Sequence, residues 1–411
     1  MNVIALIILT ALVLDAFLNA AADALNLKQL RTELPDEFKG IYDPQRYRQS
    51  QRYLEVHTRF GWVMSAIQTG VLLIFWFGGG FALLDGWIRS FNLGPILGGV
   101  LYIGILAGMA ALISLPFSIY STFVIEERFG FNRTRPSTFI KDRVKGLVLS
   151  VLIGTPLLVM ILAFFQYAGS YGWLFCWLAV TLYLFGVQLI APTWIMPLFN
   201  RFVPLDAGPL KEAILRYAAS IEFPLDNIWV MDGSRRSRKS NAFFTGFGRR
   251  KRIVLFDTLI KNHPIPELVA ILAHEMGHYK KKHIWISLAV GILQTGLMLY
   301  LLSIFITEPK LFEAFYVPRT SVYAGLVFFA LLYSPLEFFI GFWAQMLSRK
   351  HEYAADRFSA ETTHNPQAMV EALKKLSIHN LSNLTPHPFY VLLNYSHPPV
   401  LQRIRALKSV C

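Results

Sequence analysis

The chain has 411 residues, of which 54% are hydrophobic and only 16% are charged. This balance, with a positive mean hydropathy, excludes an ordinary soluble globular domain. The net charge of +13 is typical of a nucleic-acid-binding protein only if it gathers on one folded face, and its distribution along the chain argues against that.

Seven apolar stretches are long enough to cross about 30 Å of hydrocarbon at about 1.5 Å per residue. They cover residues 3–25, 62–87, 97–124, 147–168, 173–197, 284–307 and 322–347. The sequence therefore predicts an all-α integral membrane protein with seven transmembrane helices. Asp15 and Glu337 lie inside two of these stretches, where an ionisable group is a functional candidate, and neither has a partner visible in the sequence.

The basic residues fix the expected orientation. None of the 39 Lys and Arg residues lies inside a predicted span, and 36 of them fall in the first, third and fifth loops or in the C-terminal tail. The positive-inside rule then places the N-terminus outside and the tail in the cytoplasm. We interpret the charge as topogenic and expect no nucleic-acid partner. The basic runs at 235–239 and 249–252 could also contact anionic lipid headgroups.

Four regions follow from this topology, and the soluble chemistry is expected in the cytoplasmic ones. They are residues 1–197 with five helices and cytoplasmic loops 26–61 and 125–146, a loop domain at 198–283, helices six and seven at 284–347, and a tail at 348–411.

The loop domain is predicted to be α+β. Residues 227–233 and 251–259 are β-branched runs bounded by turn residues, which predicts a pair of strands. After Pro264 the apolar residues recur at helical spacing, so we expect a helix that continues through residues 274–278.

Residues 274–278 read HEMGH. His274 and His278, four residues apart, project from one helix face and can share a metal ion, with Glu275 beside them as general base. A tetrahedral catalytic zinc needs three protein ligands and one open position. The alternative is a polar helix face that meets water just outside the membrane.

The third ligand is sought in the tail, where residues 348–360 continue a probable helix from the seventh span. Glu352 is predicted to complete the site for one Zn²⁺ per chain, and Asp356, four residues later, to accept the second ring N–H of a liganding histidine. The alternative is a solvated acidic pair beside neighbouring arginines. His397 and Arg403, also in the tail, are candidates to stabilise charge on the reacting carbonyl. Pro398 and Pro399 are expected to begin a helix with His397 at its start.

The segment Asn241, Ala242 and Phe243 is predicted to bind substrate. It lies between the two predicted strands, so its backbone can offer an exposed edge for main-chain pairing with an extended peptide. The Asn241 amide can both donate and accept hydrogen bonds, and Phe243 and Phe244 are expected to line the entrance to a hydrophobic chamber. An ordinary polar loop is the alternative. The remaining histidines are interpreted as surface residues: His57, His263, His283, His351 and His379.

Several motifs together resemble the type I CAAX prenyl protease family. They are HEMGH with Glu352 and Asp356 downstream, IEERFGFNRT at 125–134, PLFNRF at 197–202, SNAFFTG at 240–246, KRIVLFDTL at 251–259 and YSHPPVLQR at 395–403. The resemblance covers nearly the whole chain. It implies an integral-membrane zinc endopeptidase in which seven helices surround a large chamber, with the metal at the cytoplasmic end.

By the resemblance, His274, His278 and Glu352 are zinc ligands and Glu275 is the catalytic base. Asn241 matches a contact to the substrate backbone, and His397 and Arg403 match residues that steady the reacting carbonyl. This chain departs from the eukaryotic pattern at Lys239, where a histidine is common. Substrate preference is therefore transferred less directly than chemistry.

We expect an endopeptidase of the CAAX-processing type that acts as a monomer on peptides or proteins, with C-terminal and lipidated segments among the candidate substrates. The bacterial inner membrane is the expected location, or the endoplasmic reticulum membrane in a eukaryote. Removal of misfolded or stalled membrane proteins is the alternative use of the same chemistry. A transporter with a structural zinc is disfavoured, because a structural site is normally closed by four protein ligands.

Overall fold

The computed structural model describes residues 1–31, 33–225, 227–245 and 252–409. Residues 249–251 of the second basic run lie outside these ranges. The long helices are α1 (Val3–Lys28), α2 (Pro44–Phe77), α4 (Gly94–Tyr120), α5 (Pro136–Leu149), α6 (Thr155–Tyr167), α7 (Gly172–Ile190), α12 (His283–Phe305) and α14 (Val322–Thr363). Shorter ones are α3 (Gly80–Ser90), α8 (Met196–Phe199), α9 (Pro209–Ser220), α10 (Asp257–Asn262), α11 (Ile265–Lys280), α13 (Pro309–Glu313), α15 (Pro366–His379), α16 (Pro388–Asn394) and α17 (Val400–Lys408).

Within the described chain, seven helical segments are long and apolar enough to span a membrane. Three of them contain a π-helical turn, which extends α4 to Glu126, joins α5 to α6, and joins α7 to α8. The predicted seven-span all-α membrane protein is confirmed.

The predicted second span is wrong in its extent. Residues 62–87 were expected to form one helix, but α2 ends at Phe77 and α3 begins at Gly80. Gly79 has φ +74°, a left-handed conformation that ends a helix and that glycine adopts without steric cost. The span is displaced toward the N-terminus instead, since α2 already begins at Pro44 within the predicted first loop.

The membrane helices pack sparsely against one another. Only 6 to 22% of each apolar window is buried inside the structure, so most of each helix surface faces lipid or the bundle interior. The largest apolar cluster includes Trp76, Phe315 and Phe328 and packs together the helix ends that lie on the side away from the sheet. In this cluster Trp76 Nε1 donates to Ala314 O at 2.7 Å. An open interior agrees with this packing, and the large chamber stays a prediction.

Asp15 and Glu337 line a common cavity. It has a volume of about 550 Å³ and lies between α1 and α14, where Ser334 and Gln345 add further polar groups. Asp15 also accepts a hydrogen bond from Asn19. The two intramembrane acids therefore face a shared opening, which is the usual setting for an ionisable group at this depth.

A small sheet follows the fifth span. Its strands are β1 (Phe202–Pro204), β2 (Asn227–Met231), β3 (Ala242–Thr245) and β4 (Arg252–Phe256), in the order β1-β2-β4-β3. The two predicted strands are present as β2 and β4, which pair in parallel, but their predicted extent is wrong, because β2 ends at Met231 and residues 257–259 begin α10. The strands β1 and β3 add antiparallel edges that were not predicted as strands.

One face of the sheet supports α11. Ile228, Ile253 and Leu255 alternate onto that face and are at most 3% exposed, and they pack in one core cluster with Leu268 and Leu272 of α11. Because strand side chains alternate between faces, this core orients the HEMGH helix relative to the strands.

Candidate metal centre

The two HEMGH histidines meet a second helix. His274 and His278 are one turn apart on α11, while Glu352 and Asp356 are one turn apart on α14, which continues well past the end of its membrane span. Each pair occupies one helix face because residues four apart are neighbours on an α-helix.

Small residues allow α11 and α14 to approach closely. A Cβ atom placed on Gly277 would lie 3.0 to 3.3 Å from side-chain atoms of Phe358, closer than ordinary packing. Beside this contact the buried Ser359 hydroxyl donates to Ala270 O at 2.8 Å. The glycine of HEMGH therefore brings the histidine helix near the carboxylate helix.

Three side chains form a triangle with the dimensions of a zinc site. His274 Nε2 and His278 Nε2 are 3.2 Å apart, and Glu352 oxygens lie 3.5 and 3.3 Å from them. Tetrahedral zinc with bonds of about 2.0 to 2.2 Å places its ligand atoms about 3.3 Å from one another. Glu352 Oε2 is buried and accepts no hydrogen bond from any residue that the structure describes. The three residues therefore fit a metal ion.

Asp356 orients the first histidine. Its Oδ1 lies 2.9 Å from His274 Nδ1, which places the ring proton on Nδ1 and the lone pair of Nε2 toward the centre of the triangle. Burial alone would lower the pKa of His274, but the hydrogen bond and charge of Asp356 raise it above its usual value.

Arg403 lies behind the triangle. Its guanidinium group binds Asp356 through two hydrogen bonds of 2.7 and 2.6 Å, and its Nη1 lies 3.4 Å from Glu352 Oε2. Only 11% of the side chain is exposed. These contacts make Arg403 a positioning residue for two carboxylates, and its expected contact with the reacting carbonyl stays a prediction.

His397 lies at the opening of the site. Its side chain is 63% exposed, and Nε2 is 3.4 Å from Glu352 Oε1. The Ser396 hydroxyl lies 2.9 Å from His397 Nδ1. A proton donated by this hydroxyl would leave the ring proton on Nε2, where a substrate carbonyl could accept it. The predicted helix after the two prolines is confirmed, since α17 begins at Val400.

Glu275 lies on α11 between the two histidines and is partly buried. Burial raises the pKa of its carboxyl group, while the neighbouring His274 and His278 oppose that effect. A raised pKa suits a group that accepts a proton and then returns it.

His283 contacts the site, which the sequence analysis did not predict. Its Nδ1 lies 3.1 Å from Nδ1 of His278, and its ring stacks on His351 at a centroid distance of 4.0 Å. His283 is 7% exposed and His263 is 6% exposed, so their prediction as surface residues is wrong. The sequence signal that could have indicated this contact is the position of His283, five residues after His278 and at the start of the next helix. Lys282, with φ +61°, turns the chain between the two histidines.

The predicted substrate segment forms the edge of the sheet. Within the described chain β3 pairs only with β4, and Phe256 N donates to Asn241 O at 3.1 Å. Phe244 packs at 5.8 Å from the Tyr279 ring of α11, and its expected place at a chamber entrance stays a prediction. Strand alternation directs Phe243 to the opposite face. The edge strand therefore runs beside the HEMGH helix.

Lys239 anchors the approach to this strand. Its Nζ lies 2.8 Å from the Tyr53 hydroxyl and 3.2 Å from Glu126 Oε2, and its carbonyl accepts from Thr258 Oγ1 at 3.0 Å. The residue that departs from the eukaryotic pattern thus joins α2, the end of α4 and α10.

Seven membrane helices, a histidine pair with an adjacent glutamate, and a carboxylate from a second helix together define an integral-membrane metallopeptidase. The family model described as "CAAX prenyl protease N-terminal, five membrane helices" matches residues 23–201, and that of peptidase family M48 matches residues 204–410. The chain belongs to the M48 family of metallopeptidases, in its CAAX prenyl protease branch.

Similar proteins cover most of the chain. A CAAX prenyl protease 1 homolog of Arabidopsis thaliana is 34% identical over 406 residues, 93% of each protein. The CAAX prenyl protease 1 of Saccharomyces cerevisiae is 36% identical over 344 residues, 79% of this chain and 75% of the yeast protein. The crystal structure of S. mikatae Ste24p superposes with a TM-score of 0.89 at 32% identity and covers 99% of both chains.

Proposed function

We propose that this protein binds one zinc ion through His274, His278 and Glu352 and uses Glu275 to hydrolyse peptide bonds in CAAX-type substrates. The observation that carries the proposal is the convergence of His274, His278 and Glu352, whose ligand atoms all lie within 4.8 Å of one another. The third of these residues comes from a different helix, so the fold and not local sequence completes the site.

Bound zinc supplies a Lewis acid and a water molecule of lowered pKa. Glu275 is placed to accept a proton from the attacking water and to pass it to the leaving amine. Asp356 keeps the His274 proton on Nδ1, and Arg403 holds Asp356 in place. His397, with its exposed Nε2, donates to the carbonyl oxygen as negative charge develops there.

Substrate binds as an extended peptide along the open edge of β3. Support comes from the free edge itself, since main-chain pairing gives affinity with little demand on side chains. Asn241 is exposed at the start of this edge and offers its amide to a substrate peptide group. Ala242 is 8% exposed and contributes its backbone, and Phe243 its ring.

The names of the relatives, CAAX prenyl proteases, support a C-terminal, prenylated substrate. The distribution of Lys and Arg supports an N-terminus outside and a cytoplasmic tail, and we propose a monomer. The relatives named above are eukaryotic, which supports the endoplasmic reticulum membrane, while the expected bacterial origin stays a prediction.

The test compares Glu275→Gln with Glu361→Gln, an exposed glutamate on α14, using purified protein and a peptide ending in a prenylated cysteine motif. Glu275→Gln should retain zinc and lose about 10²- to 10⁴-fold in turnover, because only the proton acceptor is removed. Glu361→Gln should match the wild type. Unchanged hydrolysis by Glu275→Gln would contradict the assignment of the base.

A matched peptide without the prenyl group tests the substrate class separately. Faster cleavage of the prenylated peptide supports CAAX processing. Equal rates would leave the peptidase assignment intact and favour the alternative, a protease for misfolded membrane proteins.

A further inference from the structure

The sheet has a second face that is not part of the core. Trp229, Val254 and Arg252 lie on this face, because Trp229 pairs with Val254 in register and strand side chains alternate. Together with Pro192, residues 196–202 and Arg235 they line a cavity of about 460 Å³. The cavity lies on the opposite side of the sheet from the core that supports α11.

This cavity is cationic. Arg201, Arg235 and Arg252 line it and no acidic residue does, and among the described residues no carboxylate lies within ion-pair distance of the three guanidinium groups. The nearby Asp142 carboxylate is occupied by two hydrogen bonds of 2.8 and 3.0 Å from Arg236. Arg201 and Arg235 are exposed and Arg252 is half-buried, and guanidinium groups of this kind form strong hydrogen bonds to phosphate.

Arg236 holds two residues that line the cavity between these arginines and the membrane helix. Besides Asp142, it donates to Asn200 Oδ1 at 2.7 Å and to Phe199 O at 2.6 Å. The end of the fifth span is thereby fixed against the loop that carries Arg235.

Trp229, which lines the cavity, also carries an unused hydrogen-bond donor. Trp229 Nε1 is buried and has no hydrogen-bond partner within the described structure, and the Arg252 guanidinium lies 5.3 Å from the centre of the Trp229 ring. A buried N–H group without an acceptor is unfavourable and rare in folded proteins. An anionic ligand would supply the acceptor at the position where positive charge already gathers.

The cavity opens at the membrane surface. Its other wall includes Pro192, Met196 and Leu198 at the end of the fifth span, about 20 residues or 30 Å from the start of α7, the thickness of the hydrocarbon core. Trp194 in the same turn is 75% exposed, as tryptophan is at a lipid–water interface. One side of the cavity is therefore apolar and adjacent to acyl chains.

We propose that this cavity binds the headgroup of an anionic phospholipid. The phosphate accepts hydrogen bonds from the arginines and from Trp229 Nε1, while the acyl chains lie along the apolar end of the fifth span. The site is separate from the metal centre and does not depend on the proposed function. The apolar wall favours a lipid over free phosphate.

The experiment is native mass spectrometry of purified, delipidated full-length protein titrated with phosphatidylglycerol or phosphatidylcholine. We expect wild-type protein to bind phosphatidylglycerol at least tenfold more tightly. The triple variant Arg201→Gln, Arg235→Gln, Arg252→Gln should lose this preference, and Trp229→Phe, which keeps the ring and removes the donor, should weaken it about tenfold. Arg216→Gln, an exposed arginine on α9, is the matched control.

Thermal melting and zinc content establish that each variant is folded. If the triple variant does not fold, Trp229→Phe alone tests the proposal. The proposal is overturned if the folded triple variant or Trp229→Phe keeps the wild-type preference, or if both lipids bind equally. Inorganic phosphate that competes as well as phosphatidylglycerol would also overturn it, since the acyl chains would then contribute nothing.

Discussion

At the scale of single residues, Asp356 connects the metal ligands to the rest of the site. It accepts from His274 on one side and from Arg403 on the other, and it is 2% exposed. Its charge therefore fixes the histidine tautomer and compensates a buried guanidinium group at the same time.

We predict that Asp356→Asn weakens zinc binding by about 10- to 100-fold, the usual effect of removing a carboxylate that supports a liganding histidine. Asn keeps the size of the side chain but not its charge. Competition with a chelator measures the change, and Asp206→Asn, at an exposed position, is the control. A wild-type zinc affinity in Asp356→Asn would show that this contact does not support the metal.

Residue chemistry was the most predictable part of the site. HEMGH indicated the two proposed ligands and the proposed base because spacing on a single helix is a local property, and the pairing of Glu352 with Asp356 on one helix face followed the same rule. His283 could not be identified this way, since its contact with His278 depends on the turn at Lys282 and on the direction that α12 then takes.

At the scale of elements, the site depends on how closely α11 approaches α14. Gly277→Val should lower the free energy of unfolding by about 1 to 3 kcal/mol, the usual effect of overpacking a core. The reason is that the valine side chain would meet Phe358. It should also reduce zinc content by moving Glu352 away from the histidines. Thermal melting and metal analysis test both effects.

A second substitution separates packing from chemistry. Phe358→Ala added to Gly277→Val should restore zinc content by relieving the clash. If the double variant stays as zinc-poor as Gly277→Val, the close approach of the two helices is not the reason for the loss.

The edge strand depends on Lys239. We predict that Lys239→Met lowers turnover about tenfold at unchanged zinc content, because the strand approach loses its ion pair with Glu126 and its hydrogen bond to Tyr53, contacts to a charged group worth about 1.5 to 3 kcal/mol. Kinetics on the prenylated peptide provide the measurement. Lys261→Met, at an exposed lysine, should leave turnover unchanged, and equal turnover of the two variants would contradict this role.

At the scale of the whole molecule, the charge distribution predicts which membrane face carries the metal centre. In a Cys411→Ser background, Lys310→Cys should react with a membrane-impermeant maleimide in sealed, right-side-out vesicles, and Ser409→Cys only after permeabilisation. Cys176 is 0% exposed and should stay unlabelled. Labelling of Ser409→Cys in sealed vesicles would reverse the proposed orientation.

The sequence by itself determined the seven spans, the strands β2 and β4, the HEMGH helix and the acidic pair on α14. Each of these depends on the length of an apolar run or on a repeat within one element. Only the tertiary structure decided that Gly79 ends the second span early, that His283 contacts His278, and that three arginines line the same cavity as Trp229. These features depend on contacts between residues far apart in the chain, whose relative positions follow from packing and not from spacing.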